Sequence, residues 1–198
     1  MNIKTIAAGT TLHRTHLTAF RAGQFNPCMG QSTRFASFND GVGLFVPSLY
    51  AATNREAAAY ESIFHDVAAT ARFKTVRLAS VQLRSVSRIK TKKDLPVACL
   101  YAPDLKIWGI ARTNLIETSK ATYATTVLWA QALHAAYRDL VGLIWTSRQC
   151  DPENCLVFFG DRVKEADFDI VDSIDVSTSA ALPLELRNFG KRGGITII

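Results

Sequence analysis

The order of predicted strands and helices constrains the fold of this chain more strongly than any other feature of its sequence. Apolar and polar residues alternate over residues 75–89, which predicts a long strand or a bent pair of strands. Further strands are predicted at residues 10–17, 44–50, 141–146, 155–159, 168–176 and 195–198, and helices at 53–71, 103–110, 122–137 and 183–189. Strands dominate both ends of this order and do not alternate strictly with helices. The sequence therefore predicts an α+β fold, a mixed β core with flanking helices, rather than a doubly wound parallel sheet.

Composition predicts a single soluble domain over residues 1–198. A chain of 198 residues with 48% hydrophobic residues can bury a substantial core, which excludes intrinsic disorder. The longest uncharged run, residues 121–137, is shorter than the ~20 apolar residues that span a bilayer and contains Gln131 and His134. No apolar export signal follows the N-terminus. We therefore expect no membrane association and a cytoplasmic location.

The first predicted helix carries the most informative carboxylate. Thr53 is predicted to cap it, Glu56 to complete a capping box, and the alanine-rich sequence to extend it to about residue 71. On that helix Glu61 shares the inward face with Phe64 and His65. A buried carboxylate is costly unless it is paired or functional, so the pattern leaves two interpretations open: an ion pair with a core arginine, or a catalytic role.

The charged residues are unevenly distributed. The chain has 23 Lys and Arg against 17 Asp and Glu, a formal net charge of +6. Basic residues cluster between positions 84 and 93, and acidic residues between 161 and 175. The basic cluster consists of Arg84, Arg88, Lys90, Lys92 and Lys93. Two interpretations are open for it, a solvated edge strand or a patch that contacts phosphate groups or an acidic partner.

Common cofactor and metal motifs are not found in the sequence. The glycine pair Gly41 and Gly43 lacks the third glycine of a dinucleotide fingerprint, and no P-loop or Gly-x-Ser-x-Gly elbow occurs. Cys150 and Cys155 lack a second ligand pair, and no partner for a metal site is identified for the histidines His13 and His16. We expect these two cysteines, together with Cys28 and Cys99, to be reduced thiols and the chain to bind no metal.

Three other polar or aromatic residues stand near predicted strand ends or turns. Tyr50 ends a predicted strand, where an aromatic residue forms either core or a stacking platform. Arg34 lies among turns and small polar residues and, taken alone, is predicted to be on the surface. Ser147 closes a very apolar strand, so it either lines a cleft or marks the point where the strand reaches water.

Taken together and in order, short segments of the chain resemble the RES domain family over about residues 12–163. The segments that carry this resemblance are Leu12-His13-Arg14, Phe25-Asn26-Pro27, Arg34-Phe35, Leu49-Tyr50-Ala51-Ala52, Ala58 with Glu61, Phe64-His65-Asp66-Val67, the stretch from Trp129 to His134, the stretch from Gly142 to Gln149, and the stretch from Phe158 to Val163.

The resemblance implies a fold similar to that of ADP-ribosyltransferases, NAD as substrate, and the role of toxin in a bacterial toxin–antitoxin pair. The family's arginine, glutamate and serine correspond to Arg34, Glu61 and Ser147. The resemblance further implies that Tyr50 and Glu61 are the catalytic tyrosine and glutamate. It implies that Arg14 and Arg34 hold the dinucleotide and that Ser147 bonds a ribose or nicotinamide group. The implied partner is an antitoxin of the Xre helix-turn-helix type.

These residue types suit cleavage of the bond between nicotinamide and ribose. The reaction passes through an oxocarbenium-like state, which a fixed carboxylate such as Glu61 stabilises. The ring of Tyr50 offers a face for the nicotinamide, and Arg14 and Arg34 offer planar donors for the diphosphate. Nicotinamide is cationic in NAD, so its departure requires neither a metal nor a strong acid.

Position 59 bears on the acceptor of the ADP-ribosyl group. Transferases that modify arginine carry a second glutamate two residues before the catalytic one, where this chain has Ala59. We therefore expect hydrolysis or phosphorolysis of NAD. One alternative is transfer of ADP-ribose to a specific protein, and a more distant one is a basic nucleic-acid-binding module.

We expect the antitoxin to cover the cleft that holds Arg34 and Glu61. The basic residues 84–93 are expected to meet an acidic surface of that partner. Direct nucleic-acid binding is expected only through the antitoxin. The sequence leaves formation of a homodimer open.

Overall fold

A computed structural model describes residues 1–27, 29–30 and 33–198, so the prediction for Cys28 lies outside the described residues. The strands are β1 Ile3–Ile6, β2 Thr11–Leu17, β3 Phe38–Asn39, β4 Phe45–Val46, β5 Ser48–Ala52, β6 Thr75–Val76, β7 Arg84–Thr91, β8 Leu95–Cys99, β9 Gly142–Thr146, β10 Asn154–Phe159, β11 Phe168–Asp175 and β12 Thr196–Ile197. The helices are α1 Arg55–Tyr60, α2 Leu78–Gln82, α3 Ala102–Ile107, α4 Arg112–Leu115, α5 Tyr123–Ala136 and α6 Leu182–Arg192. This arrangement confirms the predicted α+β class. Within the described ranges, no helix combines the length and the apolar character needed to cross a bilayer.

An eight-stranded sheet in the order β1-β8-β9-β10-β5-β2-β7-β11 organises the structure. Its neighbouring strands are antiparallel except for the parallel pair β8 and β9. Two small sheets, β12 with β6 and β3 with β4, accompany it. Helices α1, α5 and α6 contribute to a core that contains Trp145 and Phe35, whereas a second core contains Leu12 and Phe158.

The large sheet is split between β2 and β5, with five strands on one side of the split and three on the other. Here the two strands pair only at His13 and Ala52, whereas β2 pairs with β7 over its whole length from Thr11 to Leu17. The remaining backbone of β2 and β5 therefore diverges, and side chains of both strands line the space between them. This divergence positions the cavity described below.

The predicted helix over residues 53–71 is wrong at both ends. The side chain of Asn54, not Thr53, caps α1 by accepting a hydrogen bond from the backbone N–H of Ala57 at 2.7 Å. Thr53 is held elsewhere, because its hydroxyl donates to Glu153 Oε2 at 2.6 Å and accepts from the backbone N–H of Asn154. The helix ends at Tyr60, after which residues 62–64 fold back in a turn whose backbone N–H groups bond the carbonyl of Ala59.

The predicted strand over residues 75–89 is interrupted by a helix. Residues 75–76 form β6, residues 78–82 form α2, and the long strand β7 begins only at Arg84. The three-residue spacing between Leu78 and Val81 fits one helical turn and breaks the period-two alternation of a strand, and Val81 is the buried residue of this helix. The predicted strand is therefore wrong where this spacing interrupts the alternation.

The basic and acidic clusters neutralise each other across the edge of the sheet. The predicted edge strand is wrong for the basic cluster, because β7 lies inside the sheet and the acidic β11 covers it. Ion pairs join Arg88 to Asp172 at 2.6 Å, Lys92 to Asp169 at 3.1 Å and Lys93 to Asp167 at 2.9 Å. Three of the five basic side chains thus have partners within the chain, which argues against both a phosphate-binding patch and the expected role of this segment in antitoxin binding.

Gly142 in β9 provides a stability test of the sheet. A Cβ atom at this position would overlap the backbone carbonyl oxygen of Val157 on β10. Because this neighbour is backbone and cannot rotate away, we expect Gly142→Ala to lower the free energy of unfolding by about 3 kcal/mol. Urea denaturation measures the loss. Gly41→Ala is the control, because no atom of the described residues lies within 4 Å of a Cβ at this position, and we expect a change below about 1 kcal/mol. Equal midpoints for both variants would contradict the described pairing of β9 with β10.

Candidate functional site

A cavity of about 370 Å³ lies where β2 and β5 diverge. Its volume is within the roughly 300–1,000 Å³ that ligand pockets usually have. Four of the five predicted site residues line it: Arg14, Arg34, Tyr50 and Glu61. The structure therefore brings together residues that are up to 47 positions apart in the sequence.

Glu61 is the carboxylate of this cavity, and it is held by hydrogen bonds rather than by an ion pair. Its Oε1 accepts a hydrogen bond from Ser147 Oγ at 2.7 Å and one from the backbone N–H of Arg148 at 3.1 Å. No hydrogen bond to Oε2 occurs among the described residues. The carboxylate is thus fixed through one oxygen while the other stays available, which suits a group that must face a developing positive charge.

Ser147 lies behind Glu61 and does not line the cavity. The residue is fully buried, and its Oγ accepts hydrogen bonds from the backbone N–H groups of Gln149 at 3.2 Å and Cys150 at 3.1 Å. Its single hydroxyl proton goes to Glu61. In this geometry Ser147 fixes the position of the carboxylate, whereas the sequence resemblance implied a direct bond to the ligand.

Tyr50 presents its ring to the cavity and uses its hydroxyl to hold a neighbouring segment. The phenol oxygen accepts a hydrogen bond from the backbone N–H of Phe35 at 3.1 Å and lies 2.9 Å from Thr33 Oγ1. The ring packs edge-on against Trp145, with centroids 6.2 Å apart. Burial raises the pKa of Tyr50 to about 12, so the phenol is neutral at physiological pH. Tyr50 thereby ties residues 33–35, which include Arg34, to β5.

Arg34 is buried, with 4% of its surface exposed, so the surface position predicted from its neighbours is wrong. Its Nε and Nη2 donate to Thr118 Oγ1 at 3.4 Å and to the carbonyl of Thr118 at 3.3 Å. The guanidinium lies over the ring of Tyr123, 5.5 Å from its centroid. Among the described residues Nη1 has no acceptor, so part of the guanidinium fork is available to an anionic ligand.

Arg14 on β2 is a second buried cation of the cavity. Its Nη1 donates to the carbonyl of Ala22 and to that of Gln24 at 3.3 Å. Burial lowers its pKa to about 10, which still leaves the guanidinium positively charged at neutral pH. Arg14 and Arg34 therefore both place positive charge at the cavity wall.

The cavity also contains a group of residues that sequence analysis did not identify as functional. His65 Nε2 lies 3.0 Å from the hydroxyl of Tyr123, and His65 Nδ1 lies 2.9 Å from Asp66 Oδ1. Lys120 Nζ in turn donates to Asp66 Oδ2 at 2.7 Å. The only signal in the sequence was the position of His65 and Asp66 shortly after Glu61, because the Tyr123 contact joins residues 58 positions apart.

The histidines of β2 also line the cavity. His16 Nε2 contacts Ser87 Oγ at 2.8 Å, and burial lowers the pKa of both His13 and His16. Within the described ranges, no group of three or more His, Cys, Asp or Glu side chains is placed to hold a metal ion. Cys99, Cys150 and Cys155 are buried and are not joined in disulfides.

Comparison with known proteins gives one family and one fold. The family model described as "RES domain" matches residues 11–183, which extends the resemblance found in the sequence by 20 residues at its C-terminal end. A chain of the M. tuberculosis MbcT–MbcA toxin–antitoxin complex superposes with a TM-score of 0.63 over 93% of this chain and 92% of that one. At 19% sequence identity this similarity shows a shared fold. No curated protein sequence matches the chain.

Proposed function

The chain belongs to the RES domain family, and we propose that it is the toxin of a toxin–antitoxin pair that cleaves the nicotinamide–ribose bond of NAD. The observation that carries the proposal is the position of Glu61. Its carboxylate is fixed by Ser147 and Arg148 at the wall of a cavity that also contains two buried arginines and the ring of Tyr50. This combination matches the charges and the planar base of a dinucleotide.

Glu61 is the catalytic carboxylate in this proposal. As the bond between C1′ and the nicotinamide nitrogen breaks, the bonding electron pair leaves with the neutral base and positive charge grows on the ribose. A carboxylate already fixed at Oε1 stabilises this charge without reorganising during the reaction. Ser147 acts as a positioning residue, because it holds the carboxylate and does not line the cavity.

The arginines and Tyr50 bind the two ends of the substrate. Arg34 and Arg14 provide the positive charge for the diphosphate, and the flat ring of Tyr50 provides a surface for the nicotinamide. The acceptor of the ADP-ribosyl group is water or phosphate, because Ala59 stands where arginine-modifying transferases carry a second glutamate. NAD is a substrate here, and the bond cleavage requires no metal.

The partner in this proposal is an antitoxin of the Xre type that silences the enzyme by covering the cavity. Support comes from the family membership and from the shared fold with a chain of the MbcT–MbcA complex. The basic residues 84–93 are not assigned to this contact, because Arg88, Lys92 and Lys93 pair with Asp172, Asp169 and Asp167. The same pairing argues against direct binding of nucleic acid. A purified toxin–antitoxin pair that turns over NAD at the full rate of the isolated chain would exclude silencing by occlusion.

The fate of the ADP-ribosyl group distinguishes the proposed reaction from protein modification. The purified chain is incubated in cell lysate with NAD labelled in its adenosine, with and without added phosphate. We expect the label in free ADP-ribose or in its phosphate ester. Label on a discrete protein band would instead identify a transferase that acts on a protein target.

Replacing Tyr50 with phenylalanine tests how the cavity holds Arg34. The variant keeps the ring but removes the acceptor for the backbone N–H of Phe35, which frees the segment that carries Arg34. We expect the KM for NAD to rise about tenfold with a smaller change in kcat, measured by initial rates of nicotinamide release. Tyr137→Phe, at a partly exposed tyrosine outside the cavity, is the control. An unchanged KM in Tyr50→Phe would show that the hydroxyl does not position Arg34.

A further inference from the structure

Tyr123, His65 and Asp66 form a hydrogen-bonded chain on the cavity wall that the proposed cleavage step does not use. The Tyr123 hydroxyl lies 3.0 Å from His65 Nε2, and His65 Nδ1 lies 2.9 Å from Asp66 Oδ1. All three residues line the cavity that contains Glu61. In this order of groups the imidazole can accept a proton from the hydroxyl, and the carboxylate orients the imidazole and stabilises its charged form.

The surroundings fix the direction of these hydrogen bonds. Burial acts to raise the pKa of Asp66, but hydrogen bonds from Lys120 and His65 outweigh it and keep that pKa below its usual range. An ionised Asp66 can only accept a hydrogen bond, so Nδ1–H of the neutral His65 ring donates to it. Nε2 of the same ring is then the acceptor for the Tyr123 hydroxyl. Gln149 Nε2 also donates to the backbone carbonyl of His65 at 3.0 Å, which holds the residue in place.

Three cationic side chains lie near the hydrogen-bonded Tyr123, His65 and Asp66. Lys120 pairs with Asp66, and Arg84 of β7 also lines the cavity. The guanidinium of Arg34 lies over the ring of Tyr123. These groups stabilise negative charge on Asp66 and on an oxygen near Tyr123.

The proposed reaction lacks a base for its acceptor. Ala59 provides no second carboxylate, Oε1 of Glu61 already accepts two hydrogen bonds, and Oε2 faces the positive charge that develops on the ribose in the proposed cleavage. We propose that Tyr123, His65 and Asp66 form a proton relay that deprotonates the attacking acceptor, and that the acceptor is therefore water. This inference rests on the proposed cleavage of NAD.

The step balances as a hydrolysis. The water oxygen forms a bond to C1′ while the bond from C1′ to nicotinamide breaks, and the electron pair of that bond leaves with the neutral base. The water proton passes to the Tyr123 oxygen as the phenolic proton passes to His65 Nε2. The resulting imidazolium is stabilised by Asp66 and later releases its proton to solvent.

Tyr123→Phe and His65→Gln test the relay in phosphate-free buffer. Tyr123→Phe removes one oxygen and keeps the ring beneath Arg34, whereas His65→Gln removes the base. We expect each variant to lower kcat for nicotinamide release by about 10²-fold and to change KM by less than about threefold, since neither group holds the substrate in this proposal. Tyr137→Phe is the matched control and should retain the wild-type rate.

Azide separates a relay from a structural role. Azide is an anion that attacks C1′ without losing a proton, so it should restore nicotinamide release in both variants and give ADP-ribosyl azide. Wild-type kcat in Tyr123→Phe or His65→Gln would overturn the relay, and so would a loss of activity that azide does not restore. A folded wild-type chain that releases no nicotinamide would instead refute the proposed function itself.

Discussion

Glu61→Gln is expected to reduce nicotinamide release from NAD by about 10³-fold while leaving the fold intact. Glutamine has the size of glutamate, and its carbonyl oxygen can still accept the hydrogen bonds from Ser147 Oγ and the backbone N–H of Arg148. What the variant loses is the negative charge that stabilises the positively charged ribose. The loss should therefore appear in kcat/KM, measured by initial rates, and not in the thermal unfolding midpoint.

Glu56→Gln is the matched control for this variant. Glu56 lies on α1, which ends just before Glu61, and it pairs with Arg192 outside the cavity. The rate of Glu56→Gln should therefore stay within about twofold of the wild type. A Glu61→Gln variant that retains wild-type turnover would remove Glu61 from the mechanism.

Ser147→Ala is expected to lower kcat by about 10²-fold and the free energy of unfolding by about 2 kcal/mol. Both effects have the same cause. The buried hydroxyl donates to Glu61 and accepts from the backbone N–H groups of Gln149 and Cys150, so its removal releases the carboxylate and leaves two backbone donors without their partner. Initial rates and urea denaturation measure the two effects.

The division between kcat and KM shows how Ser147 acts. Because Ser147 does not line the cavity, we expect KM for NAD to change little. A large rise in KM with kcat preserved would mean that the serine bonds the substrate directly. Ser80→Ala on α2 is the control, since its exposed hydroxyl bonds only a local carbonyl and should affect neither quantity.

The sequence, together with its family resemblance, was sufficient to predict the α+β class and four of the residues that line the cavity. Local alternation and helical spacing identify β2, β9, β10 and α5, because these elements bury one side or both sides regularly. The carboxylate of Glu61 stood out because it breaks the apolar pattern of its neighbours. The roles expected for Arg14, Arg34 and Tyr50 came from the family resemblance, and the structure places all three at the same cavity as Glu61.

The features that the sequence could not predict depend on contacts between distant positions. Thr53 does not cap α1, because its hydroxyl oxygen accepts from the backbone N–H of Asn154 and its proton goes to Glu153, 100 positions away. The role of Ser147 depends on its contact with Glu61, 86 positions away, and the relay depends on a contact between His65 and Tyr123. The local pattern around each of these residues contains no trace of its partner, so only the tertiary structure shows them.

Release of nicotinamide from NAD by the purified chain, free of any partner protein, is the most direct measure of the proposed NAD cleavage. The base is separated chromatographically and quantified over time beside Glu61→Gln. We expect steady release by the wild-type chain and about 10³-fold slower release by the variant. A folded wild-type chain that leaves NAD intact, or a variant that releases nicotinamide as fast as the wild type, would contradict this expectation.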